Sequence, residues 1–256
     1  MTKRQKRLLS LLILIPLALL LSACVGESSG GLPGVSVSIS PSGGTPQQVT
    51  SAAGLLVLLT VLTIAPAILI LATSFTRIVI VLSMLRSALG TPTIPPNQVV
   101  IGLSLLLTIF IMTPVYNQVD QQAIQPYLAN QITQDVAIQR AQVPVKDFML
   151  KQTREKDIQL FLDLSKSPKP QKAEDISLTS LFPAFVISEL RTAFTMGFVL
   201  YIPFLIIDLV ISSVLLAMGM MMLPPSLVSL PFKILLFVLV DGWYLVTSNL
   251  ALSFMG

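Results

Sequence analysis

The 256-residue chain has no histidine and a single cysteine, Cys24. Without imidazole it lacks the usual acid–base group for neutral pH and the commonest zinc ligand. A lone cysteine rules out a disulfide within the chain. Charge is scarce as well: Asp, Glu, Lys and Arg make up 11% of residues, against roughly 25% in soluble domains. There is no GxxxxGK[ST] phosphate loop, no GxSxG elbow and no HExxH helix. The carboxylates are too scattered to suggest a paired site. These absences argue against an enzyme, a cofactor site or a metal centre.

Apolar residues fill the space that charge leaves. They account for 54% of the chain, and the mean hydropathy is +0.84. This is the composition of a membrane protein with a few spanning helices and one modest polar domain. The net charge of +4 comes from the first seven residues, which hold Lys3, Arg4, Lys6 and Arg7. Taking those four from 16 basic residues leaves 12, against 12 acidic ones. The remainder is neutral, so charge gives no support to a nucleic-acid partner.

Those four cations precede the apolar run Leu8–Leu21, which is too short to span and has the layout of a signal peptide over residues 1–24. The run ends "LSAC", a lipobox-like pattern that makes Cys24 a candidate for lipidation. Ordinary cleavage a few residues later is the other route, and both stay open. Residues 25–53 are rich in Gly, Ser and Pro and read as a flexible exported tail.

Residues 54–115 read as a first hydrophobic hairpin. "GLLVLLTVLTIAPAILILA" is long enough to cross, with Pro66 expected to kink it. Arg77 and Arg86 then mark a cytoplasmic-side loop by the positive-inside rule, and a second uncharged run covers Val99–Val115. Residues 116–183 are the only polar block, with eight basic and eight acidic residues. Val145, Phe148, Met149, Gln152, Ile158, Phe161 and Leu162 recur at three- and four-residue steps, the signature of a small helical domain. The leader places this domain outside the membrane. Residues 184–256 form a second hydrophobic hairpin around a Met-rich loop, and its first apolar run is half as long again as one crossing needs.

Two features of this hairpin point to function. Asp208, Lys233 and Asp241 are charges within apolar segments, and Glu189 and Arg191 stand at the start of the first of them. A charge at mid-membrane costs about 2.5–3.5 kcal/mol on insertion scales, so each needs a partner or water. Structural pairing of Asp208 or Asp241 with Lys233 is one reading; a proton or ion path is the other. The second feature is Met218, Met220, Met221 and Met222 around Gly219, followed by Pro224 and Pro225. Methionine suits surfaces that adapt to varied shapes. Helix packing would explain such spacing, but four methionines in five positions suit an apolar loop facing an axis. Overlong, Pro-broken, charge-bearing helices suit burial against protein, since irregular backbone at membrane depth is tolerated only there or beside a cavity.

"TSFTRIVIVLSMLRSALGTPTIPPNQVVIGLSLLLTIFIMTPV", "FMLKQTREKDIQLF", "SELRTAFTMGFVLYIPFLIIDLVISSVLLAMGMMMLPP" and "LPFKILLFVLVDGWYLV" resemble the FliP family of flagellar export-gate proteins, whose injectisome relatives share the pattern. The resemblance covers about residues 73–254 and does not extend to 1–50. It implies an all-α membrane protein of kinked hydrophobic hairpins and a small helical extracytoplasmic domain, assembling into a helical oligomeric gate. Implied partners are further copies of the chain, FliQ-like and FliR-like subunits, FlhA/FlhB-like export components and unfolded flagellar substrates. The implied location is the bacterial inner membrane within the flagellar basal body. Met220, Met221 and Met222 match the family's pore gasket. Phe148, Phe161 and Glu189 match positions tied to assembly and subunit contacts. Asp208 and Lys233 match its charged positions in the last two hydrophobic segments. Two other functions remain on the residues alone: a small-ion channel or proton-coupled transporter around Asp208, Lys233 and Asp241, and a lipid-anchored assembly factor.

Overall fold

The structure, a computed structural model, describes residues 46–91, 93–165, 172, 175–220 and 222–255. The signal-peptide reading, Cys24, most of the exported tail and Met221 lie outside them. The described residues are helical and contain no strand. In chain order the helices are α1 (Pro46–Leu71), α2 (Phe75–Ala88), α3 (Asn97–Val119), a π-helical turn (Asp120–Ile124), α4 (Gln125–Leu128), α5 (Gln134–Gln152), α6 (Glu155–Ser165), α7 (Leu178–Ala217), α8 (Pro225–Leu239) and α9 (Gly242–Leu252). Residues up to Thr60 form one unit and residues from Val61 another. The first unit holds the start of α1, which begins at Pro46, inside the stretch read as tail.

Within the second unit, α2 is the central element. Ile78, Val81, Leu82, Leu85 and Ala88 fall on one helical stripe and are buried, giving the main core its spine. Ala193 and Gly197 of α7 let the two helices approach closely; a Cβ at Gly197 would run into the Met84 side chain. On α3, the buried hydroxyls of Ser104 and Thr108 donate back to Val100 O and Ser104 O, each at 2.7 Å, so neither is left unsatisfied in apolar surroundings.

The stripe read in the polar block turns inward as expected, but the core it enters is shared. Phe148 and Met149 pack with Leu181 and Phe185 of α7, joined by Met112 and Val115 of α3. The helices stop at Thr153 because that residue is extended and the chain is pinned there: Arg154 N–H donates to Ser188 Oγ at 3.1 Å, and Ser188 Oγ donates to Gln152 O at 3.2 Å.

α7 is 40 residues long, about 60 Å at 1.5 Å per residue, twice a hydrocarbon core. Ser177 caps its start by accepting from Ser180 N–H. Pro183 and Pro203 lie inside it without interrupting it, although the sequence reading had proline breaking such segments. Its first third belongs to the core with α5 and α6, and the remainder carries exposed Phe198, Val199, Leu205 and Leu209. Asn97–Leu128 and Leu178–Ala217 are each long and apolar enough to cross a membrane, and α8 with α9 makes a third, bent by 62°. The kink therefore falls at Val240–Asp241.

Candidate functional site

Three clusters of polar or adaptable side chains stand out. The first centres on Arg77, 2% exposed on α2. All five guanidinium N–H groups are used. Nε donates to Glu189 Oε2 at 2.9 Å and Nη2 to Glu189 Oε1; Nη2 also reaches Gln152 Oε1 at 3.0 Å; Nη1 reaches Ser253 O at 3.0 Å and Ser253 Oγ at 2.9 Å. The guanidinium lies 3.8 Å from the Phe254 ring centroid, and Phe254 stacks on Phe148 at 6.2 Å. Gln152 Nε2 donates to Phe254 O at 3.3 Å. One cation thus ties α2, α5, α7 and the C-terminal end of α9 together. A planar fork with five donors suits this role in a way a lysine could not.

Arg77 is therefore not in a loop. Arg86 lies near the C-terminal end of α2, where it donates to Pro95 O and Asn97 Oδ1. Arg77 sits at the other end of α2, level with Gln152 of the polar block. Its charge is neutralised by Glu189, so it carries no free positive charge for a topology argument to use.

The second cluster lies at the far end of α2. Lys233 Nζ donates to Asp208 Oδ2 at 2.6 Å and to Ala88 O at 3.3 Å; Ser229 Oγ donates to Asp208 Oδ1 at 2.6 Å. The lysine caps the carbonyl end of α2, the favourable end of its dipole for a cation. Of the two acids considered for it, the structure brings Asp208 and not Asp241. Asp241 is exposed, has φ 50°, and makes no ion pair among the described residues.

The third is the turn between α7 and α8. Gly219 has φ 73°, Met220 N–H bonds back to Leu215 O at 2.9 Å, and Gly219 N–H to Leu216 O at 3.1 Å. This is a Schellman stop, which needs a left-handed residue that glycine supplies without strain. The methionines are thus not on a continuing helix: Gly219 ends it. Pro225 opens α8, where its missing N–H costs nothing. At this tip Met218 is 66% exposed and Met222 99%.

Of the remaining positions picked out in sequence, Glu189 is fully buried and Phe148 is 8% exposed, both facing inward within the chain; Phe161 is half-buried on α6. In the sequence Gln152 shows only as part of a helical stripe. Ser253, Phe254 and Ser229 are not legible in the sequence, because hydroxyls and a terminal aromatic carry no pattern until the fold brings them to a charge. Among the described residues no group of three or more His, Cys, Asp or Glu could hold a metal.

The family model described as "FliP family" matches residues 58–250. The chain belongs to the FliP family. It is 57% identical over 209 residues to the flagellar biosynthetic protein FliP of Bacillus subtilis (strain 168), a match covering 82% of this chain and 95% of that protein. Against the FliP of Pectobacterium carotovorum subsp. carotovorum it is 56% identical over 223 residues, 87% of this chain and 86% of the relative. Against that of Caulobacter vibrioides it is 45% identical over 251 residues, 98% and 91%. The role of FliP is in flagellar biosynthesis and export, in a membrane-associated flagellar apparatus, and the apolar helices suit that setting.

Proposed function

We propose that this FliP protein is a core subunit of the flagellar export gate, several copies of which join FliQ-like and FliR-like chains around a central passage for unfolded flagellar subunits. The observation that carries the reading is the turn after α7. A helix twice the length of one crossing ends on Gly219, presenting Met222 with 99% of its surface free. In a lone chain such a tip is a wasted apolar exposure. Repeated around an axis, Met220, Met221 and Met222 form a soft ring that closes on itself and yields to passing polypeptides of differing shape.

The two ion-paired clusters support the same reading. Each holds α2 against α7, one at each end, so the hairpin carrying the tip is braced along its length. Asp208 and Lys233 are engaged with each other and with Ser229 and Ala88 O, an arrangement suited to bracing. The extracytoplasmic placement of the polar block and membership of the basal body belong to this proposal too. Replacing Met220, Met221 and Met222 with alanine in the assembled complex tests it: assembly is retained and small-ion leakage rises. Unchanged leakage with an open gate overturns the seal.

A further inference from the structure

Two cavities meet beside α7, one polar and one apolar. The first, of about 670 Å³, is lined by Arg77, Lys151, Gln152, Thr192, Asn249 and Ser253. The second, of about 460 Å³, is a groove between α7 and α9 lined by Val81, Met196, Val199, Leu200, Val246 and Leu250. Met196 and Asn249 border both, so the polar recess runs on into the groove. The two polar side chains of the groove are turned back on their own helices. Thr195 Oγ1 donates to Arg191 O at 2.9 Å, and Asn249 Nδ2 donates to Leu245 O at 2.7 Å. What the groove offers an occupant is therefore chiefly apolar contact.

Cations collect at the polar end. Arg77 has no donor left for an occupant, and Lys151 is shared with Asp147 at 2.7 Å on the exposed side of α5. Two arginines are freer. Arg154 Nη2 reaches Thr192 Oγ1, a lining atom, at a long 3.4 Å. Arg191 is exposed, makes no ion pair among the described residues, and stands one turn before Thr195 and two before Val199 on the same face of α7. Of the nearby acids, Glu189 is spent on Arg77, and Glu155 and Asp157 of α6 line neither cavity. Arg191 is also the last charge before residues 192–207, which carry none. The arginines thus stand where α7 leaves the polar block and enters the run that is apolar enough to cross a membrane.

Size and chemistry together select the occupant. An α-helix with its side chains is about 10–12 Å across and covers a face rather than entering such a groove. The groove's volume lies within the range of small-molecule sites, about 300–1,000 Å³. A free inorganic anion leaves the groove unfilled, and a fatty chain without a charged head leaves the arginines unanswered. We infer that the recess binds one anionic glycerophospholipid, its phosphate held by Arg154 and Arg191 and one acyl chain laid along the groove between α7 and α9. Basic recesses between apolar helices take anionic headgroups, and the guanidinium fork matches phosphate oxygens. A lipid seated there fills the space beneath α9 and joins that helix to α2 and α7.

The test uses the full-length chain in phosphatidylcholine vesicles holding a small fraction of phosphatidylglycerol with a photo-reactive group midway along one acyl chain. Crosslinks are expected to concentrate on residues 195–200 and 245–250. Unlabelled phosphatidylglycerol should compete for them; extra phosphatidylcholine and glycerol phosphate should not. Arg154→Gln with Arg191→Gln should lower the labelling about tenfold or more. Val199→Trp, which fills the groove, should lower it with both arginines intact, and Arg191→Lys should keep most of it. The wild-type map and its competition need no substitution, so the outcome does not hang on a variant that fails to fold. Labelling spread evenly over the exposed apolar faces of α3 and α7 overturns the inference, because lipid then merely surrounds the chain. So does equal competition by phosphatidylcholine, displacement by glycerol phosphate, or wild-type labelling in a folded double arginine variant. A photo-reactive residue at Thr195 that captures a second copy in place of lipid overturns it too. Each of these results leaves the export-gate reading standing, since that reading is tested by ion leakage.

Discussion

Arg77 and Glu189, 112 residues apart in sequence, close on each other through two hydrogen bonds in the interior of the chain, with side-chain exposures of 3% and 0%. The pair joins α2 to α7, and through Gln152 and Ser253 it also holds α5 and the chain's C-terminal end. Glu189 and Phe148, matched in sequence to positions tied to assembly, are both buried within the chain itself.

Glu189→Ala is expected to cost about 3–5 kcal/mol, the range for removing one partner of a buried pair. Arg77→Ala should cost a similar amount. The double variant should cost clearly less than the sum, because each single change strands a buried charge. Thermal or denaturant unfolding of the purified chain in detergent measures all three; strict additivity would show that the residues are not coupled.

Phe254 is only half-buried, yet it carries a cation–π contact to Arg77 and a stack on Phe148. Phe254→Ala should therefore lose about 1–3 kcal/mol and loosen the C-terminal end of α9, while Phe254→Tyr should be close to neutral. Limited proteolysis from the C-terminus gives the readout: faster trimming in the Ala variant alone.

How far the sequence alone reached follows from these residues. The apolar runs, the polar block and its inward stripe were legible because they rest on composition and period, which act locally. The Lys233 pair was legible in kind, since a lysine within an apolar segment demands an anion, but nothing local chose Asp208 over Asp241. Arg77 misled, because a cation beside an apolar run looks the same whether it faces cytoplasm or a glutamate 112 residues away. Gly219 as a helix stop was not legible, since a Schellman cap is defined by a backbone angle and two hydrogen bonds.

Gly219→Ala forces a side chain into the left-handed region, with an expected cost of about 1–2 kcal/mol. Gly219→Asn should be the milder change. The larger effect should be on the tip, because the bonds from Met220 and Gly219 to Leu215 and Leu216 set the direction of the loop. Ion leakage of the assembled complex should rise with Gly219→Val and stay near wild type with Gly219→Asn.

Lys233→Ala leaves Asp208 with Ser229 as its partner and uncaps Ala88 O. Asp208 is partly exposed, so the loss should be moderate, about 1.5–3 kcal/mol. Asp208→Ala should exceed it, because the stranded lysine is the more deeply buried partner. Unfolding midpoints of the two variants give the order.

Placing a cysteine at Met222 in the full export complex and asking what it crosslinks to while an export substrate is stalled in transit tests the gate reading most directly. The account predicts a covalent product with the unfolded flagellar substrate, dependent on the substrate being present, and a self-crosslink between copies when the gate is empty. Labelling of Met222→Cys by lipid-soluble probes alone, with no substrate product, would contradict it.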